Sequence, residues 1–160
     1  MTISYRLKIK ELVFLLDIFG NPCSFSQGFG HIYIDKTEYL MIAEALNRKG
    51  FVTLSGKNVF VERGISVLLK NVFSADTVLA DSRLERWIYC TDKMITVIRM
   101  SKNCPGEYLI EPYFNTSELF DDITEENRRS VSMDFYKGTE GTYDSKKVKE
   151  LLEEKYEKFR

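Results

Sequence analysis

The chain has 160 residues, 44% of them hydrophobic, and a formal net charge of -1, which fits about one globular domain with a substantial core. It lacks the basic excess usual in nucleic-acid-binding proteins. Even the most basic third of the chain, residues 1–63, holds eight basic against six acidic side chains. There is no long apolar run, and charges interrupt the apolar N-terminal stretch, so we expect a cytosolic protein without a signal peptide or membrane span.

The first predicted helix is apolar almost all round, which indicates a central place in the core. Its apolar side chains keep helical spacing over residues 9–19, and a Gly-Asn-Pro sequence at 20–22 ends it. The loop that follows contains Gly-Phe-Gly at 28–30, which is too short for a phosphate-binding loop.

Asp35 predicts the start of a second helix, because Asp35 and Glu38 have the spacing of a capping box. The apolar stripe of this helix consists of Tyr39, Ile42, Ala43 and Leu46. Gly50 is the predicted C-terminal stop. Arg48 and Lys49 lie in the last turn, where cations complement the helix dipole.

A β-hairpin is predicted next, because the short apolar runs 51–54 and 59–61 flank the sequence Ser-Gly-Lys-Asn at 55–58. A third helix follows, with an apolar stripe of Ile65, Leu68, Leu69 and Val72. Helices and a hairpin in this order are the outline of a winged helix.

The character of the chain then changes to strands. Residues 84–90 and 94–100 are rich in β-branched and aromatic side chains and predict two strands joined by a tight turn at 91–93. Residues 107–113 predict a third strand, which Pro112 should close or place at an edge. The three strands predict an antiparallel meander.

Helices return after the meander. Residues 115–117 are predicted to cap a short helix that includes the apolar residues of 119–123. Residues 124–143 are mostly polar and predict a loop, with a short strand at 131–136 as an option. The last helix is predicted from about Asp144. Its apolar seam consists of Val148, Leu151, Leu152 and Phe159.

These elements predict an α+β fold: winged-helix-like helices and a hairpin, a three-stranded antiparallel meander, and C-terminal helices. We predict a single α+β domain over residues 1–125, with the winged-helix-like part at about 7–75 and the sheet at about 83–113. Residues 126–160 are predicted to form a polar loop and an amphipathic helix, packed on this domain or on a partner.

We expect no catalytic residue, no metal site and no cofactor, because no catalytic constellation is visible in the sequence. His31 is the only histidine and belongs to no motif, which favours an ordinary loop or core histidine over a general base. Cysteines at 23, 90 and 104 form no CxxC pair, which favours free thiols over a disulfide or zinc site. The acidic residues at 121–122 and 125–126 lack the spacing of a calcium loop, so a solvated face is favoured.

The predicted sheet offers a candidate protein-binding surface. Trp87 and Tyr89 project from one face of their strand, and Tyr108 of the third strand adds to the aromatic content. Tyr and Trp suit a protein interface. Leu152 and Phe159 on the seam of the last helix are further candidates. The alternative is that helices of the same chain cover the aromatic face.

Five segments carry a family resemblance: LVFLLDIFGNP, ALNRKGFV, LERWIYCTDKMITVIRM, EYLIEPY and SELFDDI. Their order resembles the EspG-type chaperones of type VII secretion and their short relatives encoded beside secreted LXG- or WXG-type proteins. The resemblance covers roughly residues 9–123. It implies a cytosolic, non-enzymatic adaptor or chaperone that holds a small helical secretion substrate before export. The large chaperones contain a second, similar half, which a homodimer of this chain could supply.

The alternative function is a winged-helix transcription regulator that binds DNA. Arg48, Lys49 and Lys57 would then contact phosphates. Protein binding is favoured, because the helix C-terminus already explains Arg48 and Lys49, while Lys57 stands alone at the tip of the predicted turn.

Overall fold

A computed structural model describes residues 3–20, 33–81, 86–127, 132–137 and 141–159. The elements of the N-terminal half are β1 (Tyr5–Lys8), α1 (Ile9–Phe19), α2 (Lys36–Arg48), β2 (Val52–Ser55), β3 (Asn58–Val61) and α3 (Arg63–Ser74). They are followed by β4 (Thr77–Asp81), β5 (Arg86–Cys90), β6 (Ile95–Met100), β7 (Glu107–Tyr113), α4 (Thr116–Asn127), β8 (Ser132–Lys137), β9 (Thr142–Asp144), α5 (Ser145–Lys155) and a short 3-10 helix (Glu157–Phe159).

The α+β class predicted from the sequence is confirmed, and the sheet is larger than predicted. Within the described ranges it has seven antiparallel strands in the order β1-β7-β6-β5-β4-β8-β9, with the predicted meander β5-β6-β7 inside it. Strand β4 was missed because all five of its residues are buried, and a strand covered on both faces shows no polar alternation. Strand β8 lies at the place of the optional short strand.

The sheet is the middle of three layers. On one face, α1, α3 and the hairpin β2–β3 enclose a core with α2, and Tyr89 and Ile98 of the sheet point into it. On the opposite face, α4 and α5 enclose a second core, into which Ile88 and Val97 point. Because side chains alternate along a strand, neighbouring residues of β5 and β6 serve different cores.

Local signals set the ends of the helices as predicted. The Asp35 carboxylate accepts the N–H of Thr37 at 2.8 Å and so caps α2. At the other end, Gly50 has a φ of 79°, and the N–H of Phe51 donates to the Leu46 carbonyl at 3.0 Å. This is a Schellman cap, and it favours glycine because residue 50 has a left-handed backbone conformation.

The C-terminal part of the chain belongs to the same sheet. β8 pairs with β4, and β9 pairs with β8. The seam of α5 packs on the sheet rather than facing outward, since Val148 and Leu152 are buried in the second core. Of the two options predicted for the last helix, packing on the same chain is the one observed.

In the part of the chain that the structure describes, no helix is both long enough and apolar enough to cross a membrane. His31, Cys23 and the Gly-Phe-Gly sequence at 28–30 lie outside the described residues.

Candidate protein-binding groove

The aromatic face predicted as an interface is covered by helices of the same chain. Tyr89 is 0% exposed, and Trp87 and Tyr108 are partly buried against the core beneath α1 and α3. The structure brings Trp87 and Tyr108 together, with ring centroids 6.4 Å apart. The prediction that Tyr89 contacts a partner is therefore corrected: α1 and α3 need this face to bury their own apolar stripes.

Leu152 and Phe159 are also inside the chain, with 1% and 0% exposure. The hydroxyl of Thr116 donates to the Phe159 carbonyl at 3.1 Å and so attaches the C-terminal turn to α4. Both side chains complete the second core. In this conformation they stabilise the fold and do not reach a partner.

The three cations of the DNA-binding alternative have different environments in the structure. Lys49 donates to the buried carboxylate of Glu11 at 2.6 Å, while Arg48 and Lys57 are exposed. The outer face of α2 would have to enter a groove of DNA, and it exposes Leu40 and Met41 by 62% and 68%. Such an apolar face does not suit contact with phosphates.

A different surface follows from the way α3 sits on the sheet. The buried stripe of α3 contains Ile65, Leu68, Leu69 and Val72. Its opposite face therefore presents Arg63, Val67, Lys70 and Ser74, spaced i, i+4, i+7 and i+11. Two adjoining cavities flank this face and share Val67 and Met94 as lining. We call these two cavities together the α3 groove.

One end of the α3 groove is apolar and has a volume of about 460 Å³. It is lined by Ile3, Tyr5, Glu62, Arg63, Gly64, Val67, Leu68, Met94, Pro112 and Phe114. Three of its apolar side chains are largely open to solvent: Ile3 by 61%, Val67 by 49% and Phe114 by 58%. Exposed apolar side chains are common singly, and the grouping of three of them around one cavity makes this end of the groove a candidate interaction site.

Glu62 lines the apolar end and caps the N-terminus of α3. Glu62 accepts the N–H groups of Gly64 and Ile65 at 2.9 and 3.0 Å, and the Tyr5 hydroxyl also hydrogen-bonds to it. The Gly64 N–H lowers the pKa of Glu62, assisted by Ile65 and Tyr5. Burial raises the pKa of Tyr5, and the charge of Glu62 adds to this. A carboxylate at a helix N-terminus thus fixes the first strand against α3.

The other end of the groove has a volume of about 400 Å³, and we call it the polar end because most of its lining residues are polar. It is lined by Val67, Lys70, Asn71, Ser74, Asp76, Thr91, Asp92, Lys93 and Met94. Asn71 forms its floor and is 7% exposed. Its amide nitrogen donates to the carbonyls of Tyr89 and Met94 at 3.3 and 3.2 Å and to the Thr96 hydroxyl at 3.0 Å, while the Thr91 hydroxyl donates to its oxygen.

The second polar network lies on the far face of the sheet. Arg99 donates to the Glu111 carboxylate at 2.9 Å, and the Tyr113 hydroxyl donates to Asp122 at 2.7 Å and to Glu111 at 3.2 Å. Burial raises the pKa of Tyr113 well above its ordinary value, and the hydrogen bond to Asp122 adds to this. A satisfied network of this kind anchors α4 to β7 and needs no ligand.

Among the described residues, no group of three or more His, Cys, Asp or Glu side chains is placed to hold a metal ion. Asp121 and Asp122 are exposed at the surface of α4, while the side chains of Glu125 and Glu126 lie outside the described set.

The sequence contains a weak signal for the groove. Val67 is an apolar residue off the buried stripe of α3, and Phe114 follows the predicted end of its strand. Ile3 is more than 60 residues away from either of them along the chain. The pairing of β1 with β7 brings Ile3 and Phe114 to the same end of the sheet, and the packing of α3 on the sheet adds Val67.

No family model matches this chain, and no curated protein or solved structure matches it. The resemblance to the EspG-type chaperones therefore stays a prediction.

Proposed function

We propose that the protein is a non-enzymatic adaptor that holds a helical segment of a partner protein in the α3 groove. The observation that carries this proposal is the group of exposed apolar side chains Ile3, Val67 and Phe114 around one cavity. In a monomeric soluble protein such a group is usually a binding site.

The shape of the groove favours a peptide helix over a small ligand. Its apolar and polar ends lie side by side along α3, which has 12 residues and is therefore about 18 Å long. A partner helix of about three turns would follow this length. It would place one apolar side chain near Phe114 and others along Val67, as helix-in-groove recognition requires.

The family resemblance suggests the kind of partner. A short relative of the EspG-type chaperones would bind a small helical LXG- or WXG-type protein in the cytoplasm before its secretion. On this proposal the groove covers an apolar part of the substrate that would otherwise aggregate. A homodimer would leave the groove of each copy available only if the contact between the two copies lies elsewhere.

Co-expression with the small helical proteins encoded beside its gene tests the proposal. We expect one of them to co-elute in size-exclusion chromatography. Phe114→Ser should weaken that complex by about 10-fold or more, as loss of a central aromatic anchor does. Phe60→Ser is the matched control, because Phe60 is 57% exposed but lies on β3 outside the groove.

Two results would contradict the proposal. One is the absence of any co-eluting partner when each neighbouring helical protein is supplied in turn. The other is a complex that Phe114→Ser and Phe60→Ser weaken equally, since binding would then lie outside the groove.

DNA binding is tested separately by a mobility-shift assay at low salt. We expect no shift with mixed-sequence duplex DNA. Lys57→Glu should leave the protein complex intact, whereas it would weaken DNA binding on every sequence if the regulator alternative held.

A further inference from the structure

We infer that the segment bound in the α3 groove is an acidic amphipathic helix; this rests on the proposed function and adds the chemistry of the partner. The groove carries the cations Arg63, Lys70 and Lys93. All three are exposed, and none forms an ion pair with another described residue. A partner that supplied carboxylates would pair them without competing with contacts inside the chain.

The carboxylates of the groove are mostly engaged already. Glu62 accepts two N–H groups at the start of α3. Asp76 accepts the Tyr156 hydroxyl, while the ammonium group of Lys155 donates to the Thr77 hydroxyl at 2.7 Å and lies over the Tyr156 ring. Asp92 is the remaining acid, exposed at the tip of the β5–β6 turn. These hydrogen bonds leave the carboxylates charged, so the three cations and three carboxylates of the lining balance. The outer face of α3 itself carries no acidic residue, and its charged side chains are the cations Arg63 and Lys70.

The spacing of the cations specifies the form of the partner. Arg63 and Lys70 are seven residues apart on the outer face of α3, about 10 Å along the helix axis, with Val67 between them. A helix laid along α3 would meet them with acidic residues one heptad apart on one flank of an apolar seam. This is the arrangement in which flanking charges set the choice of partner in paired helices.

Three synthetic helical peptides of about five turns serve as probes: a leucine seam flanked by glutamate, the same seam flanked by lysine, and a scrambled glutamate peptide. Affinities are measured by fluorescence anisotropy at low and high salt with the full chain. We expect the acidic peptide to bind at least about 10-fold more tightly than the basic one, with a preference that shrinks in high salt.

Lys70→Glu should weaken the binding of the acidic peptide by about 5- to 10-fold and strengthen the binding of the basic peptide. Lys57→Glu makes the same charge change in the exposed turn between β2 and β3 and should alter either affinity by less than about twofold. The scrambled peptide should bind neither the wild type nor the two lysine variants, because its leucines form no continuous seam.

The outcomes separate the two proposals. If both amphipathic peptides bind equally, lose affinity with Phe114→Ser and ignore Lys70→Glu, the acidic partner is excluded while the groove remains the binding site. If neither binds, the acidic helix is also excluded, and the co-expression result alone decides the proposed function. If Phe60→Ser weakens binding as much as Phe114→Ser does, both proposals fail.

Discussion

Replacing Asn71 with leucine should strongly destabilise the protein, although leucine has the same number and branching of side-chain heavy atoms and favours a helix more. Asn71 lies in α3 and is 7% exposed. Its amide makes three donor contacts, of 3.0 to 3.3 Å, to the β5–β6 region, and it accepts the hydroxyl of Thr91. These bonds attach α3 to the turn that forms the polar end of the groove.

The size of the destabilisation depends on whether each hydrogen-bond partner of Asn71 keeps another hydrogen bond. A typical hydrogen bond contributes a net ~1 kcal/mol, and the amide shares its two N–H groups among three acceptors, so the loss of all these contacts would cost about 3–4 kcal/mol. Some partners keep other contacts: the Thr96 hydroxyl donates to the Leu68 carbonyl at 3.3 Å, and the Met94 carbonyl accepts the Thr91 N–H at 3.1 Å. We therefore expect a decrease in the free energy of unfolding of about 2–4 kcal/mol, or roughly 4–16 °C in Tm.

Urea unfolding followed by the fluorescence of Trp87, the only tryptophan, measures this change. Asn47→Leu is the matched control, because Asn47 is an exposed residue of α2 and the same gain in helix propensity applies. The control should stay within about 0.5 kcal/mol of the wild type. A difference between the two variants below ~1 kcal/mol would refute the claim that the Asn71 network stabilises the fold.

Three further changes should have distinct effects. Lys49→Met leaves the buried carboxylate of Glu11 without its cation and should cost about 1–3 kcal/mol, less than for a fully buried pair because Lys49 is partly exposed. Gly64→Ala drives a methyl group into the Tyr5 hydroxyl and should cost about 1–2 kcal/mol in urea unfolding, as overpacking does. Burial raises the pKa of the Cys90 thiol, so the folded protein keeps a proton that the unfolded chain releases above about pH 9. Its contribution to the free energy of unfolding is complete below that pH and falls as pH rises, by up to ~1.4 kcal/mol per pH unit, and Cys90→Val should remove this slope.

Each of these has its own control. Lys57→Met removes an exposed cation and should be nearly neutral, so an equal loss in both lysine variants would argue against the ion pair with Glu11. In a Tyr5→Phe background the hydroxyl is gone, and Gly64→Ala should cost clearly less, although its methyl group stays 3.2 Å from Cζ of residue 5 and from Glu62 Oε2. An unchanged cost would show that the Tyr5 hydroxyl is not the source of the clash. Urea unfolding of Cys90→Val and wild type at pH 7 and pH 10 would contradict the last prediction if their difference did not change with pH.

The elements predicted from local patterns agree with the structure where the pattern itself is local. The cap of Asp35 on α2, the glycine end at Gly50 and the glycine turn of the hairpin depend on neighbours within a few residues. Strands β1 and β4 could not be found in this way. β1 has four residues and gains its partner from β7, about 100 positions later, while β4 is buried on both faces.

The candidate site shows the same division more sharply. The predicted aromatic face was chemically suitable for an interface, but α1 and α3 cover it. Sequence alternation identifies which side chains share a face of a strand and does not say what lies on that face. The groove was missed for a related reason, since Ile3, Val67 and Phe114 meet only after β1 has paired with β7 and α3 has packed on the sheet.

The sequence by itself determined the α+β class, the faces of its helices and most of their ends, because these follow from spacing and from contacts within one or two turns. The tertiary structure alone decided which apolar faces are covered and which stay open. It also decided that Lys49 is held by Glu11, while Lys70 remains without an ion pair among the described residues. Coverage and pairing depend on segments far apart in the chain, whose meeting is fixed by packing of the whole core.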